Sequence, residues 1–76
     1  MDWNLIIAAN VRRLRLERGF TQEQLAHECE LDLTYIGGIE RGRRNPSVKV
    51  IGKLATALGV HPGTFFKRLD TSGVAD

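Results

Sequence analysis

Residues 20–47 read FTQEQLAHECELDLTYIGGIERGRRNPS, and their reading decides the fold. Thr21 is a helix N-cap, Gln24 three residues on completes a capping box, and Phe20 with Leu25 has the spacing of a hydrophobic staple. The helix that starts there is short, from Gln22 to Glu28 or Cys29, with Leu25, Ala26 and Cys29 on one face. Glu30-Leu31-Asp32 turns the chain. Asp32 then caps a second helix, and Leu31 with Ile36 repeats the staple geometry. This helix runs from Leu33 to about Arg41, turns Ile36 and Ile39 inward and stops at Gly42. A basic loop, Arg43-Arg44-Asn45-Pro46, follows, and Ser47 is the next N-cap.

On the N-terminal side, Trp3, Ile7, Val11 and Leu14 recur at the three- and four-residue spacing of one helix face. Asp2 caps that helix and Gly19 stops it, with Arg15 and Arg18 in the last turn at the negative end of the dipole, so it covers about residues 3–18. On the C-terminal side, Val48, Ile51, Leu54, Ala55 and Leu58 form the apolar face of a helix that ends at Gly59. A last short helix opens at Pro62 and includes Phe65, Phe66 and Leu69. No strand alternation, internal repeat or low-complexity tract interrupts the pattern. The expectation is an all-α, compact five-helix domain over residues 1–69, with residues 70–76 as a flexible tail.

Seventy-six residues set a ceiling of one domain and leave room for neither a two-domain enzyme nor a ligand-sensing domain. A composition 42% hydrophobic and 26% charged is that of a globular protein, and the single Cys29 excludes an internal disulfide framework. The apolar run Leu5 to Ala9 is too short for a membrane span or signal-peptide core, which points to the cytoplasm. Charge is unevenly placed: Met1 to Glu40 holds four basic and seven acidic residues, while Arg41 to Leu69 holds seven basic and none acidic. Such a cluster suits an anionic partner, nucleic acid before a membrane surface.

Two short helices joined by a tight turn, the second followed by arginines, is the arrangement that lays a recognition helix in a major groove. Through VRRLRLERGFTQEQLAHECELDLTYIGGIERGRRNPSVKVIGKLATALGV, residues 11–60, the sequence resembles the Cro/C1-type (XRE family) helix-turn-helix DNA-binding proteins, a lambda-repressor-like fold. TQEQLA, YIxxIERGxRNPS and LATALGV stand in that family's order and spacing. The resemblance implies a phosphate contact for Gln22 and base-facing positions for Leu33, Thr34, Tyr35 and Gly38. It assigns Arg41 and Arg43 to the DNA backbone and Arg44 to a base edge. It also implies an ion pair between Arg15 and Glu40, and a homodimer on a palindromic operator with half-sites roughly 34 Å apart. TYIGGIERGRRN further resembles the small controller proteins of restriction–modification systems, which autoregulate their own operon.

Three features depart from the family pattern. Leu33 offers only an apolar contact, such as one to a thymine methyl group. Gly37-Gly38 removes two side chains from the recognition helix, and Glu30 stands where glycine is usual in the turn. Tyr35 is open to two readings, a DNA contact or a half-buried brace. So are Val60, Phe65, Phe66 and Leu69, as a dimer interface or as the floor of the core. His27, Cys29 and His61 lack the paired spacing of a metal site, and no catalytic constellation or cofactor motif stands out. The leading expectation is a homodimeric transcriptional regulator that binds double-stranded DNA. The alternative is the antitoxin, or another interaction module, of a toxin–antitoxin pair.

Overall fold

The computed structural model describes residues 1–68, so Leu69 and the tail 70–76 lie outside the described residues. Four α-helices follow one another: α1 (Trp3–Glu17), α2 (Gln22–Cys29), α3 (Leu33–Glu40) and α4 (Val48–Leu58). A 3-10 helix spans Pro62–Phe66, and no strand occurs among the described residues. Each helix begins with a side-chain cap. Asp2 accepts from the Asn4 and Leu5 amides, Asp32 from Thr34 at 2.7 Å and Ser47 from Val50 at 3.2 Å. Thr21 and Gln24 close a full capping box, with bonds of 3.0 and 2.8 Å.

All four α-helices also end alike. The amides of Phe20, Leu31, Arg43 and Val60 reach back to the carbonyls of Arg15, Ala26, Gly38 and Ala55, at 2.9–3.0 Å, around one left-handed residue. That residue is Gly19, Gly42 or Gly59 in three stops and Glu30, at φ 55°, in the fourth. Glu30 therefore does adopt the left-handed conformation that glycine would take without a Cβ penalty. Phe20, Leu31 and Val60, the residues just past three of these stops, pack against the core, whereas Arg43 is exposed.

One core joins the elements: Ile7, Val11 and Leu14 from α1, Leu25, Ala26 and Cys29 from α2, Ile36 and Ile39 from α3, Ile51, Leu54, Ala55 and Leu58 from α4, and Phe65. α1 lies against α3 and the 3-10 helix, and α2 lies against α3 and α4. The apolar periodicity thus identifies the buried faces, with two exceptions. Met1, Trp3 and Leu5 are all exposed, so the first turn of α1 lies at the edge of the core, and the Trp3 ring (49% exposed) meets the Phe66 ring at 6.3 Å. Val48, next to its N-cap, is 88% exposed and not part of the inward face of α4.

The fifth helix is a 3-10 helix rather than an α-helix, and its end is tied to α1. Asn10 is fully buried, and its Nδ2 donates to the Phe65 carbonyl at 2.8 Å and the Lys67 carbonyl at 2.7 Å. The Thr64 amide bonds back three residues to His61, the Lys67 amide three residues to Thr64, and Lys67 is extended. A polar residue beside Ile7, Val11 and Leu14 is thus the latch for the C-terminal element. No helix among the described residues is long and apolar enough to cross a membrane.

Candidate nucleic-acid interface

α2, the turn at Glu30-Leu31-Asp32 and α3 bring the start of α3 and the loop after it to the surface. Leu33 (43% exposed) and Thr34 project there, with Tyr35 half-buried between them and the core. Arg41, Arg43 and Arg44 are exposed at the other end of α3, so three guanidiniums gather within four residues of chain. The geometry can offer an apolar group, a hydroxyl and several cations to a polyanionic surface, the combination that groove and phosphate recognition requires.

The two glycines of α3 act differently from the expectation. Gly37 and Gly38 are buried, because arginines lie across them. A Cβ on Gly37 would stand 3.1 Å from Arg41 Nη1, and one on Gly38 would stand 2.5 Å from Arg44 Cγ. Gly38 is therefore covered, and the arginine stem above it is what faces out. The Arg44 guanidinium lies 5.9 Å from the Tyr35 ring centroid, within cation–π range.

Behind this surface sits a buried charge network. Arg15 Nε and Nη2 donate to the two Glu40 carboxylate oxygens at 2.6 and 3.0 Å, and Arg15 Nη1 donates to the Phe20 carbonyl at 2.8 Å. The side chains of the pair are only 9% and 3% exposed. Gln22 Nε2 donates to the same carboxylate at 3.1 Å, so Glu40 fixes which end of the Gln22 amide turns inward. One N–H of that amide is left over.

Of the four residues expected at an interface between copies, Phe65 is wholly buried in the chain's own core and is withdrawn from that role. Val60 is half-buried against the core, Phe66 is 44% exposed, and Leu69 lies outside the described residues. Cys29 is buried and its Sγ faces the Lys53 carbonyl at 3.7 Å; burial pushes its thiol pKa up, against the lowering influence of Lys53. Among the described residues no His, Cys, Asp and Glu gather as a metal-binding group. Sequence reasoning missed the Asn10 latch and the bond from Arg18 Nη1 to the Leu58 carbonyl at 3.1 Å. The available signal for the first was an asparagine on an otherwise apolar helix face.

A short helix pair with exposed groups at the second helix and cations after it is the helix-turn-helix of a transcriptional regulator, and this chain belongs to the helix-turn-helix family of the XRE type, whose model matches residues 11–65. Within that family it is similar to controller proteins. It is 49% identical over 59 residues to control protein C.BamHI of Bacillus amyloliquefaciens, covering 76% of this chain and 73% of that one. The structure of the restriction-modification controller protein C.AhdI from Aeromonas hydrophila superposes with a TM-score of 0.80 at 44% identity, over 83% of this chain and 96% of that one. A hypothetical transcription factor of Neisseria meningitidis is 44% identical over 59 residues, 78% of this chain, but the match spans only 56% of that protein.

Proposed function

We propose that the chain binds double-stranded DNA as a homodimer at a palindromic operator and regulates its own transcription unit, as the controller of a restriction–modification operon. The observation that carries this reading is the exposed surface of Leu33, Thr34, Arg41, Arg43 and Arg44 at the two ends of one short helix. In this reading Leu33, Thr34 and Arg44 meet base edges and Tyr35 braces them from below, while Gln22, Arg41 and Arg43 bind phosphates. Gln22 uses the N–H that Glu40 leaves over, and the helix N-terminus beneath it adds a favourable dipole. Similarity to C.BamHI and C.AhdI supports the narrower assignment to a controller. Phe66 and Val60, with Trp3 beside Phe66, supply the apolar surface for the second copy.

The test is a gel-shift titration on the DNA directly upstream of the chain's own gene, with an unrelated duplex of equal length as competitor. A discrete shift that resists the competitor is expected. Equal, weak binding to both duplexes counts against an operator at that place. If Arg43→Ala leaves affinity and salt dependence unchanged, Arg43 does not touch a phosphate; loss of one phosphate contact lowers the salt slope by about 1.

A further inference from the structure

α3 has the composition of a poor reader: two of its eight residues are glycine, and its first is leucine. The site nevertheless carries a side chain locked in place over that bare surface. The loop folds back on α3 because the Gly38 carbonyl accepts from both the Arg43 amide, at 2.9 Å, and the Arg44 amide, at 3.3 Å. This pair of hydrogen bonds to one carbonyl sets the Arg44 backbone over the helix end. The missing Cβ of Gly38 then leaves a slot that the Arg44 stem fills, since a methyl group there would meet Cγ at 2.5 Å, Cδ at 3.5 Å and Nε at 3.5 Å. Tyr35, one turn earlier on the same helix, lies under the guanidinium at 5.9 Å. Stem and head are both held, yet Arg44 remains exposed.

We infer that Gly38 and Tyr35 form a seat that presents the Arg44 guanidinium to a guanine edge in the major groove, so that specificity at one base pair per half-site is set by a loop arginine positioned by a helix glycine. The inference rests on the DNA-binding reading above. A guanidinium presents parallel N–H donors that match the N7 and O6 acceptors of guanine, and no other base offers two acceptors there. Holding the side chain in advance reduces the rotamer entropy lost on binding, which is large for arginine. Gly38 and Tyr35 are positioning residues in this scheme, and Arg44 makes the contact. Gly37 differs, because a Cβ there meets only the far end of the flexible Arg41 side chain, at 3.1 Å.

The experiment is selection of bound duplexes from a randomised pool by the purified protein, followed by titration of the selected duplex and of versions changed at each position. The unaltered protein should enrich a two-fold motif with a guanine whose replacement weakens binding about 5- to 150-fold, the range of one bidentate base contact. Arg44→Ala should abolish the preference at that position. Gly38→Ala should erode it at the same position, and the double variant Gly38→Ala/Arg44→Ala should lose nothing beyond Arg44→Ala. Gly37→Ala should keep the preference. Tyr35→Leu, which leaves the backbone of α3 alone, should weaken the same guanine preference and serves should Gly38→Ala fail to fold. If Gly38→Ala folds and keeps the full guanine preference, or if it and Tyr35→Leu shift preference at a different position, the seat is wrong while DNA binding stands. If the unaltered protein enriches no sequence, the operator-binding reading falls and the seat falls with it.

Discussion

The Arg15–Glu40 pair offers the sharpest test of what holds α1 to α3. Replacing Glu40 by leucine removes the acceptor for two of the three Arg15 bonds and for Gln22, leaving a guanidinium whose side chain is 9% exposed with the Phe20 carbonyl alone. Breaking a buried pair in this way costs about 3–5 kcal/mol. A chain of this length has a total stability of only about 4–11 kcal/mol, at ~0.05–0.15 kcal/mol per residue, so the loss is a large fraction of the whole. At about 4–8 °C per kcal/mol, the midpoint should fall by at least about 12 °C. Arg15→Met leaves the opposite charge buried and should be comparably damaging. The double variant Arg15→Met/Glu40→Leu removes both charges, and it should regain most of the loss, because an apolar pair of similar volume is often neutral or better. Urea unfolding followed by far-UV circular dichroism, at one fixed protein concentration, yields the four free energies of the cycle. Additivity of the two single losses in the double variant would refute the reasoning, since it would mean that neither charge is a burden without the other.

Three further outcomes are expected. Asn10→Ala should cost about 1–3 kcal/mol through the buried Phe65 carbonyl and the part-buried Lys67 carbonyl it orphans, and hydrogen exchange at the Thr64 and Lys67 amides should accelerate selectively. Glu30→Gly should raise stability by up to about 1 kcal/mol in the same urea assay by relieving the left-handed residue, and an unchanged or lower midpoint would show that the turn is not strained. For Cys29, burial raises the folded thiol pKa, so the unfolded chain loses its proton first. That contribution is fully present below the unfolded thiol pKa of about 8.5 and is lost as pH rises through the folded value; Cys29→Ala should lose this alkaline slope.

Capping residues made the helix starts legible, since Asp2, Thr21, Asp32 and Ser47 each bond their own first turn and depend on nothing distant. The stops were equally local, including Glu30, whose left-handed backbone is forced by the turn. What sequence did not reveal depends on partners far along the chain. Phe65, left open between an interface and the floor of the core, lies in the core, where Asn10 holds its carbonyl across more than fifty residues. Gly38 reads as an empty base-facing position until the loop is seen to fold back over it. Among the site residues, the exposure of Leu33 and Thr34 and the clustering of Arg41, Arg43 and Arg44 follow from helix register and the Gly42 stop. The link between Gln22 and Glu40 does not, because it requires the packing of α2 beside α3.

The four helix stops share one hydrogen-bond pattern, but they differ in what unzipping them exposes. Opening the stop after α1, α2 or α4 breaks its bonds and also uncovers Phe20, Leu31 or Val60, so water must be admitted to apolar surface. Opening the stop after α3 uncovers Arg43, which is already hydrated. This one junction therefore has no apolar residue of its own just past the stop to be uncovered. Arg44 keeps its seat on Gly38 and Tyr35, while the exposed Arg43 can follow a curved or widened groove as the start of α3 stays anchored through Leu31. Tolerance to groove shape is in this way confined to the segment that carries the cations, and the rest of the domain need not deform to accommodate it.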